Sequence, residues 1–129
     1  MTRILLGLLV AVAAAGASAD AHHSFAADYL ENQMVSIEGE VVEFHYRHPH
    51  TWLHVMTKDE KGETTRYAAE WANPRRLGPQ GIDQDTLKPG DYVIVRGSPG
   101  RNPAEHKLHL KAIERPADGW KWVAGRGRR

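Results

Sequence analysis

A small β-barrel with one short helix is what the sequence predicts, on three observations. Five stretches, 34–47, 51–57, 64–71, 92–97 and 107–115, are rich in β-branched and aromatic residues, with apolar and polar positions alternating. Between the third and the fourth, Asn73-Pro74-Arg75-Arg76-Leu77-Gly78 carries the punctuation of a helical turn: Asn caps, Pro takes the first position, Gly ends it. Within the first stretch the apolar parity switches at Val41-Val42, so a strict period of two cannot keep both halves inside. A bulge there, with Gly39 nearby, bends one long strand to serve both sides of a barrel. All-β in the order β-β-β-α-β-β is the plan of a five-stranded OB-type barrel.

Each element has its own signal. Leu53 and Val55 alternate with Trp52, His54 and Met56 in the second strand, after Pro49 has broken the ladder. Lys58-Asp59-Glu60-Lys61-Gly62 reads as a hairpin turn into the third. Leu87-Lys88-Pro89-Gly90-Asp91 turns into the fourth, whose Val93 and Val95 face the core. The reading divides the chain into a signal peptide at 1–21, an N-terminal arm at 22–33 anchored by Phe25 and Leu30, the barrel at 34–115, and a flexible basic tail at 116–129.

The signal rests on a basic start through Arg3, an apolar run at 4–15, and small residues of the A-x-A kind. That run is shorter than the roughly 20 residues a span needs, so no membrane-spanning segment is expected after cleavage. Cleavage fits after Ala19, leaving Asp20 first, and equally after Ala21, leaving His22 first. Export implies a periplasmic or secreted protein. With a net charge of +1 there is no global field to attract polyanions, and no nucleic-acid partner is expected. The chain has no cysteine, which removes disulfides, thiolate metal sites and a Cys nucleophile. No paired carboxylates, phosphate loop or Ser-His-Asp set is present, so hydrolytic chemistry has no support and a non-catalytic protein is expected.

The chemistry on offer is histidine. Four of the eight histidines, His45, His48, His50 and His54, fall within ten residues, and His22-His23 follow the signal. If His22 is first, its α-amine and Nδ1 chelate one metal, and a third imidazole completes the T-shaped set called a histidine brace, which suits copper. If Asp20 is first, Asp20-Ala21-His22 offers amine, two amides and an imidazole in the square plane that Cu(II) or Ni(II) prefers. His50, Trp52 and His54 share a parity, but His50 and His54 lie about 13 Å apart on a straight strand, too far for one ion. Glu70, an acid in an apolar strand run, is a candidate to orient an imidazole. His106 and His109 read as ordinary loop and strand residues.

His22-His23-Ser24-Phe25, His48-Pro49-His50-Thr51-Trp52 and Leu87-Lys88-Pro89-Gly90-Asp91 together resemble an uncharacterised family of small exported bacterial proteins. Mature chains of that family begin HHSF and carry an NPH-x-W turn and an LKPGD turn, and Asn73-Pro74-Arg75-Arg76-Leu77 is similar to its helix. The resemblance spans residues 21–115 and implies an exported OB-like domain without implying an activity. It favours cleavage after Ala21. This chain has His48 where the family usually has Asn, and Glu70-Trp71-Ala72-Asn73 replaces a Gly-rich lead into the helix.

The leading expectation is a divalent metal ion, copper favoured, held by His22, His23 and His50 with His48 or His54 as further ligands and Glu70 behind them. The alternative is a metal-free module that takes a small ligand or a protein partner on an aromatic face of Tyr46, Trp52, Tyr67 and Trp71.

Overall fold

The computed structural model describes residues 25–125. The expected signal peptide, His22, His23 and residues 126–129 lie outside them. Strands β1 (Val35–His45), β2 (Trp52–Lys58), β3 (Thr64–Glu70), β4 (Tyr92–Pro99), β5 (Lys107–Arg115) and β6 (Trp120–Val123) form one sheet in the order β3-β2-β1-β4-β5-β6. A parallel β3–β5 pairing closes the first five into the expected barrel. Among the described residues, no helix is long and apolar enough to cross a membrane.

The closure depends on β1 belonging to both halves. Its start pairs with β4 and its end with β2, and Gly39 and Glu40 pair with both. The strand coils so tightly at Gly39 that an added Cβ would stand 2.0 Å from the carbonyl oxygen of Met56, which excludes every side chain. The register then shifts between Val41 and Glu43, at the parity switch. Val41 pairs inward with Val55 before the shift, and Phe44 pairs inward with Leu53 after it. The backbone groups freed there are taken by the turn before β4: Val41 N–H donates to the Asp91 carbonyl at 2.8 Å and Gly90 N–H to the Val41 carbonyl at 2.9 Å.

The helix Pro74–Leu77 closes one end of the barrel with Leu77, which is fully buried. Asn73 caps it, accepting from Arg76 N–H at 3.1 Å. Gly78 does not stop the chain as the sequence suggests. A 3₁₀ turn, Gly78–Gln80, continues from it, and the left-handed residue is Gly81, with φ 82°. Ile82, Leu87, Val93, Val95 and Leu108 complete a core on which Trp71 packs at 1% exposure.

Two expectations are corrected. Residues 116–125 are not a flexible tail, because Trp120–Val123 add β6 to the edge of β5 beyond the point where β3 leaves it. Trp122 sets its ring edge-on to Trp71 at 4.9 Å between centroids, and its indole N–H donates to Gln80 at 2.8 Å. The hairpin signal was present in Asp118-Gly119 followed by the alternation Trp-Lys-Trp-Val. The arm is anchored by Tyr29 rather than Leu30. Tyr29 is 1% exposed and bridges to Gly100, whereas Leu30 is only partly buried.

Trp122→Ala should therefore lower stability by about 2 kcal/mol, the value of a large apolar side chain taken from water. Chemical denaturation checks this, and an unchanged midpoint would mean that β6 is not part of the cooperative unit.

Candidate metal centre

The β3–β5 closure decides which side chains meet. Glu70 pairs with Trp52 on one side and with His109 on the other, and Trp52 pairs with His45. Directly paired residues share a face, so His45, Trp52, Glu70 and His109 form a row across four strands on the outside of the barrel. His50 precedes β2 at the end of this row, past the cis His48–Pro49 bond. The helical turn at 25–28 and Tyr29 lie over it.

Phe25 is the roof. Its ring stacks on His109 at 3.9 Å between centroids and 8° between planes, and stands 5.3 Å from the ring of His50. His109 Nδ1 is 2.8 Å from Glu31 Oε1, and Lys111 holds the other oxygen of that carboxylate at 2.8 Å. A carboxylate on one ring nitrogen leaves the other as the electron-pair donor, the arrangement metal-ligating histidines use. His50 Nδ1 lies 3.7 Å from Glu70 Oε1.

Glu70 is 8% exposed, and its contacts are long: the Tyr29 hydroxyl at 3.5 Å and His50 at 3.7 Å. Burial pushes its carboxyl above the usual range against the pull of His50, His109 and Lys107. Burial, with Glu70 beside it, also pushes the Tyr29 phenol up. A buried carboxylate with weak partners costs free energy that a nearby cation would recover.

The predicted residues thus divide. His50 and Glu70 come together, with His109, which spacing alone did not mark because its neighbours arrive from β3 and the arm. His54 belongs to a second group: its ring is 5.3 Å from that of His45, opposite Glu43 on the paired strand. His48 is exposed on the turn. His22 and His23 lie outside the described residues. His106 caps a 3₁₀ turn at φ 46° and meets Tyr67 edge-on. The expected aromatic face is largely spent on packing. Trp71 is buried, Tyr46 and Tyr67 lie against the core, and the Tyr46 hydroxyl donates to the Ile82 carbonyl at 2.7 Å.

The profile of a family of unknown function, DUF6152, matches residues 9–109. No curated protein matches the chain in sequence. Two solved structures are similar in fold. The mitochondrial single-stranded DNA-binding protein Rim1 of S. cerevisiae has 19% identity and a TM-score of 0.48, covering 64% of this chain and 91% of its own. A small single-stranded DNA-binding protein from Streptomyces coelicolor has 18% identity and a TM-score of 0.43, covering 64% and 90%. Single-stranded DNA binding is stated of those two proteins, and the expectation of no nucleic-acid partner, which rested on net charge alone, is dropped. Near-neutral net charge is no ground for exclusion in this fold, where binding follows the local face of the barrel. At this identity the likeness itself is one of fold.

Glu31 carries a pH dependence. Burial raises its pKa, but Lys111 and His109 outweigh that and hold the carboxyl below its usual value. A folded-state pKa below the unfolded one gives stability that is present above about pH 4.3 and lost as pH falls through the folded value. Glu31→Gln should therefore lose less stability than the native protein between pH 5 and pH 3, about the pH range where the carboxylate titrates. Thermal unfolding across that range checks it, and parallel curves would mean that the Glu31 contacts contribute nothing.

Proposed function

The chain belongs to DUF6152, a family of unknown function, and from its own residues we propose that it is an exported domain that binds a divalent transition metal, copper favoured, where the N-terminal segment crosses His50 and His109. The observation that carries this reading is Phe25 lying against both imidazoles. His22 and His23 are three and two residues before Phe25 in the sequence. A mature chain starting at His22 would bring an α-amine and two more imidazoles to a place already holding two. Nitrogen donors of this kind suit copper, and Glu70 supplies compensating negative charge.

The residues divide the work. His22, through amine and ring, gives the chelate, and His23 is a further ligand. His50 and His109 are the donors fixed to the barrel, Glu31 orients His109, and Glu70 lies beside His50. Phe25 and Tyr29 keep the site partly dry, which strengthens every charge interaction in it. Such a domain would carry or buffer the ion.

Competition titration with Cu(II) near pH 7 tests it. One residue added before His22 should weaken binding even though every histidine remains. His50→Ala and His109→Ala should each weaken it by roughly 10–100-fold, the range seen when a ligand or its orienting neighbour is lost. His106→Asn, which tolerates the left-handed backbone there, should leave it unchanged. Equal affinity in the native and extended chains would rule out the amine chelate, and affinity that follows histidine number alone would rule out the site.

A further inference from the structure

Glu43, His45 and His54 form a second cluster on the same outer face. One donor atom from each lies within 4.8 Å of the others. The bulge at Val42 creates it. Without the register shift after Val41, Glu43 would keep the inward parity of Val41, but after it Glu43 pairs outward with His54, and His45 follows two residues on. Glu43 and His45 are thus neighbours along one strand, with His54 across the ladder, on an antiparallel ribbon rather than a loop. His45 Nε2 is already 2.6 Å from Glu43 Oε2.

This cluster already holds a cation, and that cation comes from the chain. Arg66, on β3, places Nη2 3.2 Å from Glu43 Oε1 and donates Nε–H to His54 Nδ1 at 3.4 Å. One guanidinium therefore bridges two of the three donors. Arg66 is partly exposed, with 44% of its side chain accessible, so it can swing to water without leaving a buried hole.

We propose that Glu43, His45 and His54 are a second divalent-metal site, with Arg66 as the resident cation that the metal displaces. Two imidazoles and one carboxylate suit Zn(II), which takes three protein ligands and leaves a fourth position for water or a ligand. The site stands beside the first one, since Trp52 pairs with both His45 and Glu70 and separates them in the row. Strands β1 and β3 flank β2, placing the two sites about 10 Å apart.

The test is a Zn(II) titration of the mature protein followed through the imidazole signals of His45 and His54 by NMR. Both rings should shift together, in the native protein and equally in His50→Ala, which separates this site from the copper reading. His54→Gln and Glu43→Gln should each weaken the affinity read at His45 at least tenfold, with unchanged unfolding midpoints. Arg66→Met should tighten it at least threefold by removing the competitor. Shifts at His45 without His54, unchanged affinity in Glu43→Gln, or weaker binding in Arg66→Met would each overturn the proposal.

Discussion

Three parallel pairs, Ala68 with Lys107, Ala69 with Leu108 and Glu70 with His109, hold the barrel shut. The central pair, Ala69 and Leu108, is fully buried, so the closure is fixed by core packing as well as by the ladder. The two flanking pairs then stand outside, which sets Glu70 beside His109 although their numbers differ by 39. A carboxylate in that position, roofed by Phe25 and Tyr29, is an unfavourable thing to bury alone. The closure therefore creates both the cluster and an electrostatic opening for a cation beside it.

Much of this architecture was legible because periodicity reports directly on which face is buried. The five strands, the capped helix and the bulge all follow from apolar spacing and turn chemistry near Val41, Asn73 and Asp91. Glu70 stood out as an acid in an apolar run, and the structure explains the anomaly: it is the last residue of β3, facing out but covered by the arm. Long-range register was not legible. His109 looks ordinary in Leu-His-Leu, since nothing local says that β3 arrives beside it in parallel. Strand β6 is short, and Trp122, which fastens it, finds its partners, Trp71 and Gln80, far away in sequence. Net charge averages over faces that the fold separates, so it decides nothing about partners.

The two histidine groups share a face but differ in how their charge is balanced. The first combines a buried carboxylate with neighbours at 3.5 Å and longer, so its demand for a cation is unmet within the barrel. The second is more open, and Arg66 already answers its negative charge. A metal at the first would compete mainly with protons, and a metal at the second with a tethered guanidinium. The first should on this ground be the tighter, with Trp52 standing between them.

The central claim is that copper is held where the N-terminal segment meets β2, β3 and β5. Substoichiometric Cu(II) added to the isotopically labelled mature protein tests it, because a paramagnetic ion broadens nearby NMR signals first. Signals of Phe25, His50, Glu70 and His109 should vanish at the lowest copper level while those of the Asp59–Gly62 turn persist. Loss of His45 and His54 with His50 and His109 intact, or even broadening across all histidines, would contradict the account.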